Sequence, residues 1–308
     1  GDIAKKLSVS PSTISRLLKR AREERIVTFV IPQPYLECIE IGDELQRRYG
    51  LKEAIVAPPQ GTGRDPEETK RAVALEGARY VQRVITDRDV LGVAWGGTMY
   101  HVIGHLNPCR KTANEFVTLH GSIDCCDPKF DAKALASRLS MAFGGHPFSL
   151  EARGLFGCAD ETRAMRRQKD IDAVFEKFRG VTLSLSGVGS LHPRADSPLA
   201  RMGYLKDGEL EELRHRGVYG DLVLRFFDRE GRECDSSLKE KTLAIDLETY
   251  RNIPTKIIVV SGMHKIETLR AVIRGNLVDV LIVDRELGKE LLHDPEKSTG
   301  ESRSDMHA

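Results

Sequence analysis

The feature that most restricts the fold of this chain is the repeated alternation of short apolar runs with amphipathic stretches. Runs such as "VLGVAW", "VTLSLS", "KIIVV" and "VDVLIV" are each followed by a turn, and helical periodicity recurs between them. Apolar runs of this length are typical of buried strands. Strands that alternate with helices form mostly parallel sheets covered on both faces. We therefore predict an α/β fold with a doubly wound, mostly parallel sheet.

The same pattern gives approximate bounds for the elements. Predicted strands cover residues 54–57, 90–95, 116–119, 181–186, 222–227, 257–260 and 278–283, and predicted helices cover 67–85, 132–143, 264–274 and 286–292. A further helix, residues 35–49, follows Pro32 and Pro34. We expect three regions, namely residues 1–34, a linker helix within 35–52, and a large domain 53–308 whose polar tail 293–308 is disordered.

Two predicted strands run directly into glycine turns. The first turn is Gly96-Gly97-Thr98-Met99, and a helix follows it. Glycine lets backbone N–H groups approach an anion, and a helix N-terminus favours negative charge, although a plain strand-to-helix connection has the same pattern. The second turn, Ser186-Gly187-Val188-Gly189, is not followed by the glycine spacing of a dinucleotide-binding site.

The first 26 residues have a different character. Ser10 is a suitable N-cap and Pro11 a suitable first helical residue, so we predict a helix from Pro11 to about Glu24. Ile14, Leu17 and Leu18 would form the apolar face by which this helix packs against its neighbours. A short helix, residues 2–7, precedes it and a strand, residues 26–31, follows, which is the order of a helix-turn-helix and the start of a wing. The outward side chains would be Ser12, Thr13, Arg16, Lys19 and Arg20.

Charge is distributed unevenly along the chain. Residues 1–26 contain seven Lys and Arg against three Asp and Glu, whereas the remainder contains 40 against 43. A basic segment attached to a slightly acidic body indicates an anionic partner for that segment alone. Arg16 is long enough to reach a guanine in the major groove, and short hydroxyls at the helix start can contact phosphates. An ordinary helical hairpin with a solvated basic face is the alternative.

Other sequence features exclude several classes of protein. No run approaches the length of a membrane-spanning helix, and the six cysteines show neither CxxC spacing nor a disulfide framework, so we expect a cytoplasmic protein. His101 and His105 have the spacing of a metal pair, but no third ligand is evident, so packing or surface histidines are the simpler interpretation. We predict no metal, no cofactor and no catalytic residues.

Several blocks in one order carry a family resemblance. They are "DIAKKLSVSPSTISRLLKRAREERIV", "YGLKEAIVAP", "DVLGVAWGGTMYHVI", "LSGVGSL", "RMGYL", "GDLVLRFFDREGRECD" and "IIVVSGMHKIETLRAVIRGNLVDVLIVD". Together they resemble the SorC family of bacterial sugar-responsive transcriptional regulators, from residue 2 to about 292. Members of that family have another helix before the helix-turn-helix, so we expect the chain as given to be trimmed at its front.

The resemblance implies a partial winged helix-turn-helix followed by a domain folded like ribose phosphate isomerase and glucosamine phosphate deaminase. In the family the first glycine turn holds a phosphate or the hydroxyls of an effector, and the second lies at the pocket rim. The implied effector residues are Gly96, Gly97, Thr98, Met99, His120, Ser186, Gly187, Gly189, Asp221 and Lys265. Many members have Arg where this chain has Gly97, and Lys or Arg where it has His120.

We therefore predict a DNA-binding transcriptional regulator of carbohydrate metabolism. Its partners would be operator DNA, a sugar, polyol or sugar phosphate, and further copies of itself in a dimer or tetramer, with Ile39 and Leu45 available for self-association. Two alternatives stay open from sequence. A sugar phosphate isomerase or deaminase fits the fold of the large domain, because fold does not determine function. A constitutive architectural DNA-binding protein fits the basic segment.

Overall fold

The computed structural model describes residues 4, 6–24, 26, 33–59, 65–124 and 127–293. Residues 1–37 and 38–308 form two compact units. The predicted tail, apart from His293, and most of the predicted wing strand lie outside the described residues, as do residues 2, 3 and 5 of the predicted first helix. None of the helices in the described ranges combines the length and the apolar character needed to cross a bilayer.

The helices alternate with the strands along most of the chain. The helices are α1 (Pro11–Glu23), α2 (Gln33–Tyr49), α3 (Pro66–Val84), α4 (Gly97–Gly104), α5 (Ala132–Phe143), α6 (Ala159–Arg166), α7 (Lys169–Phe178), α8 (Pro198–Arg201), α9 (Asp207–His215), α10 (Ser237–Lys241), α11 (Leu247–Arg251), α12 (Ile266–Arg274) and α13 (Arg285–Leu292). The strands are β1 (Glu53–Ala57), β2 (Val90–Val93), β3 (Glu115–Thr118), β4 (His146–Phe148), β5 (Leu183–Ser186), β6 (Gly189–Ser190), β7 (Gly220–Leu222), β8 (Arg225–Phe227), β9 (Thr255–Val260) and β10 (Val280–Asp284).

Seven of the described strands form one sheet in the order β1-β10-β9-β5-β2-β3-β4. Every neighbouring pair in this sheet is parallel, which confirms the predicted doubly wound α/β fold. The chain moves outward from β2 through β3 to β4, and outward from β5 through β9 to β10 on the other side. The strand order therefore reverses between β2 and β5, the position at which open α/β sheets form ligand crevices.

Apolar side chains cover both faces of this sheet, because successive residues of a strand point to opposite faces. On one face Ile258, Val260 and Leu281 pack in a core that includes residues of α2, α7, α12 and α13. On the other face Ile257 and Val259 pack against α3, α4 and α5. The near-continuous hydrophobic strands thus have the composition expected of a sheet buried on both sides.

A second, smaller sheet corrects one sequence prediction. Residues 222–227 do not form a single strand; β7 and β8 pair antiparallel, and β6 joins them in the order β6-β7-β8. The reversal occurs at Val223 and Leu224, whose φ angles are 50° and 66°. Such hairpin turns normally use Gly, Asn or Asp. Two apolar residues therefore gave no sequence signal of the turn. Both are buried, Val223 in the same core as Ile258 and Leu281 and Leu224 in a third hydrophobic core.

Two predictions about packing are wrong in the described structure. Leu17 and Leu18 of α1 are 52% and 50% exposed, because no described element of their unit covers that face of the helix. Leu45 of α2 is fully buried within its own chain, so it is unavailable for self-association, whereas Ile39 is 55% exposed. Leu45 is buried because α2 packs on the large sheet with Cys38 and Ile41.

Candidate functional site

A narrow cavity of about 80 Å³ lies at the carboxyl ends of β2 and β5, where the strand order reverses. Its wall consists of residues 94–99, 187–189, Pro198, Asp221 with Val223, and Lys265. The two glycine turns follow adjacent strands, so parallel pairing brings them together at one edge of the sheet. The cavity thus unites segments that are far apart in sequence.

Hydrogen bonds within the protein hold the backbone at the start of the first glycine turn. The N–H groups of Ala94 and Gly96 donate to the carbonyl oxygens of Leu185 (3.0 Å) and Phe130 (2.9 Å). The N–H of Trp95 donates to Nε2 of His120 at 3.1 Å. Each of these three amides is therefore committed to the protein and unavailable to a ligand.

The next three amides behave differently. Gly97, Thr98 and Met99 are the first residues of α4, and among the described residues no acceptor pairs with their N–H groups. The first amides of a helix lack partners within the helix and favour an anion. Gly96 has a φ of 122°, a conformation that side chains rarely adopt, and this bend directs the start of α4 toward the cavity. A Cβ at Gly97 would meet nothing within 4 Å.

The second glycine turn has a different structure. Gly189 begins β6 and pairs with Asp221 of β7. A Cβ at Gly189 would lie 2.0 Å from Oδ1 of Asp221 and 2.6 Å from Oγ of Ser197. Glycine is therefore required here because a buried carboxyl group occupies the space of a side chain.

Asp221 is the acidic group of the cavity and is only 5% exposed. Oγ of Ser197 donates to its Oδ1 at 2.7 Å. Burial raises the pKa of Asp221 to about 6, against the opposing effects of the Ser197 hydrogen bond and the positive charge of Lys265. One carboxylate oxygen is thus held by Ser197, and the other can accept from a ligand hydroxyl.

Lys265 is the basic group of the cavity. It ends a 3₁₀ turn, Met263–Lys265, that follows β9. Burial lowers the pKa of Lys265 to about 8, although the nearby Asp221 charge acts in the opposite direction. Within the described part of the chain, no ion pair or hydrogen bond engages its ammonium group. The cavity therefore contains a carboxylate and an ammonium that are both charged between pH about 6 and about 8.

Two of the residues predicted from sequence do not line the cavity. His120 is 1% exposed beneath the first turn, where its Nδ1 lies 2.7 Å from the carbonyl oxygen of Gly121 and its Nε2 accepts from Trp95. Oγ of Ser186 lies 3.0 Å from the hydroxyl of the buried Tyr250. The structure brings together the other predicted residues, namely Gly96, Gly97, Thr98, Met99, Gly187, Gly189, Asp221 and Lys265.

Sequence reasoning missed three contributors to the site. Ser197 orients Asp221, and Pro198 and Val223 form part of the wall. Ser197-Pro198 has the pattern of an N-cap followed by a first helical residue, and the structure shows that cap in the bond from the Leu199 N–H to Oγ of Ser197. That local signal predicts a helix start but not its place beside Asp221.

A wider depression of about 490 Å³ lies between residues 191–195 and α9. Its charged lining residues are exposed, and two of them, Arg214 and Glu211, pair with each other at 2.5 Å. It contains none of the residues that the sequence singled out. Among the described residues no group of three or more His, Cys, Asp or Glu is arranged to hold a metal ion.

The basic helix α1 forms as predicted. Oγ of Ser10 accepts from the Thr13 N–H at 3.1 Å and so caps the helix. Ser12, Arg16, Lys19 and Arg20 are exposed, and Thr13 is half-buried. Lys19 lies 3.8 Å from Glu23, and Arg20 lies 2.6 Å from Glu24. Exposed pairs of this kind are weak, so phosphate groups can replace these carboxylates at little cost.

Comparison with known proteins finds relatives that match nearly the whole chain. The family profile described as "Putative sugar-binding domain" matches residues 33–293. The deoxyribonucleoside regulator of Bacillus subtilis (strain 168) is 29% identical over 293 residues, covering 95% of this chain and 92% of the relative. The sorbitol operon regulator of Klebsiella pneumoniae is 26% identical, covering 94% and 91%.

Solved structures agree with these matches. The full-length sorbitol operon regulator SorC from Klebsiella pneumoniae superposes with a TM-score of 0.79 at 26% identity, covering 94% of this chain and 92% of that one. A domain of a possible sugar-binding transcriptional regulator from Arthrobacter aurescens TC1 superposes with a TM-score of 0.76 at 25% identity, covering 86% and 100%.

Proposed function

This chain belongs to the sugar-binding domain family that includes SorC-type regulators, and from that premise we propose that a small carbohydrate controls its binding to operator DNA. The chain is a transcriptional regulator, like the relatives that it matches over nine-tenths of their length. The observation that supports the effector role is the cavity at the strand-order reversal, where Asp221 and Lys265 meet two glycine turns.

The chemistry of the cavity favours a hydroxylated ligand with an anionic or strongly polar end. The free oxygen of Asp221 can accept from hydroxyl groups, while Lys265 and the amides of Gly97, Thr98 and Met99 can donate. A sugar, a polyol or a sugar phosphate matches this division of donors and acceptors. The narrowness of the cavity suits a linear or small ligand.

Operator DNA would contact the exposed face of α1. Ser12 and Thr13 lie at the helix N-terminus, where hydroxyl groups can meet phosphates, and Arg16, Lys19 and Arg20 follow along the same helix. We propose that homo-oligomers, dimers or tetramers, present pairs of these helices to two half-sites about one helical turn apart. The effector would act by binding one oligomeric arrangement more tightly, which shifts operator affinity by about 1–3 kcal/mol.

The decisive experiment separates effector binding from operator binding. Sorbitol, erythritol, sorbitol 6-phosphate and inorganic phosphate are screened by thermal shift, and the best ligand is titrated against wild type, Lys265→Ala and the control Lys133→Ala, an exposed lysine paired with Glu151. We expect Lys265→Ala to weaken effector binding about tenfold to a hundredfold, as expected for a charge-assisted hydrogen bond. Operator affinity should be unchanged in both variants.

A result that contradicts this assignment is equally clear. Equal effector affinity in Lys265→Ala and wild type would place the effector elsewhere. Turnover of a sugar phosphate that has a carbonyl group, such as ribose 5-phosphate, at an enzymatic rate that is lost in Lys265→Ala would instead favour an isomerase-like activity. The same preparation tests the DNA face, because Arg16→Ala should weaken operator binding by about 1–3 kcal/mol while Lys19→Ala reduces the salt dependence.

A further inference from the structure

His120 makes two hydrogen bonds, and both partners are backbone groups. A carbonyl oxygen can only accept, so the Nδ1 that faces Gly121 at 2.7 Å must carry the ring proton. An amide N–H can only donate, so the Nε2 that faces Trp95 at 3.1 Å must present its lone pair. The two contacts together require one neutral tautomer of the ring.

The position of this ring in the first glycine turn is specific. The amides on either side of Trp95, those of Ala94 and Gly96, donate to backbone carbonyl groups of Leu185 and Phe130. The amide of Trp95 alone depends on a side chain. The next residue, Gly96, has a φ of 122°. Glycine adopts positive and negative φ about equally readily, so its own backbone preference does not hold Gly96 in this conformation. The hydrogen bond of the Trp95 amide is therefore the one bond of this turn that a change of side chain can remove.

We propose that His120 is a positioning residue, which holds the Trp95–Gly96 turn so that the amides of Gly97, Thr98 and Met99 face the cavity. The role of those amides as ligand donors rests on the proposed function. This interpretation replaces direct contact between His120 and the effector. Both ring nitrogens are already engaged, and a proton on Nε2 would put two donors face to face.

The surroundings of the ring support the neutral form. The side chain is 1% exposed, and burial lowers the pKa of His120 below its ordinary value. The hydrogen bond to Gly121 and the nearby charge of Asp131 raise this pKa, but burial has the larger effect. That carboxylate is engaged elsewhere, however, since it accepts from the Ile123 N–H at 3.2 Å and the Lys133 N–H at 2.9 Å. His120 is thus left to its two backbone partners.

The test compares His120→Leu, which lacks both bonds, with His120→Gln, whose amide can both accept and donate. The control is His101→Leu, the same substitution on α4. Trp95 is the only tryptophan, so its emission reports on this turn alone, and amide exchange is followed by mass spectrometry. We expect the amide of Trp95, which loses its acceptor, to exchange about tenfold faster in His120→Leu, about the value of one lost hydrogen bond. His120→Gln should stay within about threefold of wild type.

Local specificity separates positioning from a general loss of structure. Exchange in β10 should be unchanged in His120→Leu, and the Trp95 emission should shift only in that variant. Wild-type exchange and emission in His120→Leu would overturn the proposal. If that variant does not fold, nitrogen NMR of wild type decides instead, because a proton on Nε2 of His120 at pH 7 would also overturn it.

Inorganic phosphate provides the ligand readout. Phosphate should perturb the Gly97–Met99 amides of wild type and His120→Gln and bind about tenfold more weakly to His120→Leu. Absence of any phosphate response in wild type would count against the proposed function of these amides. The positioning role would then still be decided by exchange at Trp95, so the two failures are distinguishable.

Discussion

The two glycine turns follow adjacent parallel strands, yet they serve the cavity in opposite ways. After β2, Gly96 bends the chain and the helix α4 begins with three amides that lack protein partners. After β5, Gly189 enters a small antiparallel sheet and lies against the carboxyl group of Asp221. The first turn offers backbone donors, whereas the second makes room for a side-chain acceptor.

This difference shows that the same local pattern, a strand followed by glycine, can have two physical causes. At Gly97 the space where a Cβ would lie is empty, so glycine is not demanded by packing. At Gly189 that space is filled by Asp221 and Ser197, so glycine is obligatory. Three substitutions and one pH titration test this contrast, and the first substitution should have the largest effect.

Gly189→Ala should be the most damaging. Its Cβ would lie 2.0 Å from Oδ1 of Asp221, so the Asp221–Ser197 pair must separate or the strand β6 must shift. We expect a loss of about 3 kcal/mol in unfolding free energy, at the upper end for overpacked sites, together with loss of effector binding. Urea unfolding measures the first and calorimetry the second. Wild-type stability would show that the Asp221 carboxyl group is not packed against this glycine.

Asp221→Asn should stabilise the protein while weakening effector binding. Burial raises the pKa of Asp221 from 3.8 to about 6, so the folded state holds the carboxylate less favourably than the unfolded state does. Since one pKa unit corresponds to about 1.4 kcal/mol, we expect a gain of about 1–3 kcal/mol at pH 7. An amide oxygen still accepts from Ser197.

The pH dependence of the stability gain in Asp221→Asn is the control for its assigned cause. The stability contributed by Asp221 is fully present below pH 3.8, where the group is protonated in both states, and is lost as pH rises through about 6. The difference between Asp221→Asn and wild type should therefore shrink as pH falls from 7 toward 4 in urea unfolding. A gain that is constant with pH would contradict the assigned cause.

Effector binding should itself pass through a maximum between pH about 6 and about 8. Below this range Asp221 becomes protonated, and above it Lys265 loses its charge, since burial places their pKa values at about 6 and about 8. Affinity should fall about tenfold for each pH unit outside the range. Calorimetric titration from pH 5 to pH 9 measures this, and Asp221→Asn should remove only the acidic limb. A flat profile would exclude these two groups from the site.

Gly97→Ala should have the smallest effect and is the matched partner of Gly189→Ala. Its Cβ enters open space at the first position of α4, and its φ is not positive. Because alanine favours helices over glycine, we expect a gain of at most about 1 kcal/mol by urea unfolding, with effector affinity kept within about threefold. Destabilisation equal to that of Gly189→Ala would remove the distinction between the two turns.

How far the sequence predicts the site depends on the range of the interactions. Both glycine turns were predicted because a strand and the residues after it are neighbours in the chain. Asp221 and Lys265 were selected by family resemblance, and the structure places both at the cavity. His120 and Ser186 were selected in the same way, but their side chains bond to the backbone amide of Trp95 and to the hydroxyl of the buried Tyr250, and no local sequence pattern predicts these partners.

The sequence by itself determined the alternation of strands and helices, the capped basic helix α1 and the glycine turns, because periodicity and capping act between residues a few positions apart. Only the tertiary structure decided the strand order that puts β2 beside β5 and the hairpin at Val223 and Leu224. It also decided that Ser197 meets Asp221. These features depend on which distant segments pack together and exclude water, and burial of that kind is a property of the assembled core.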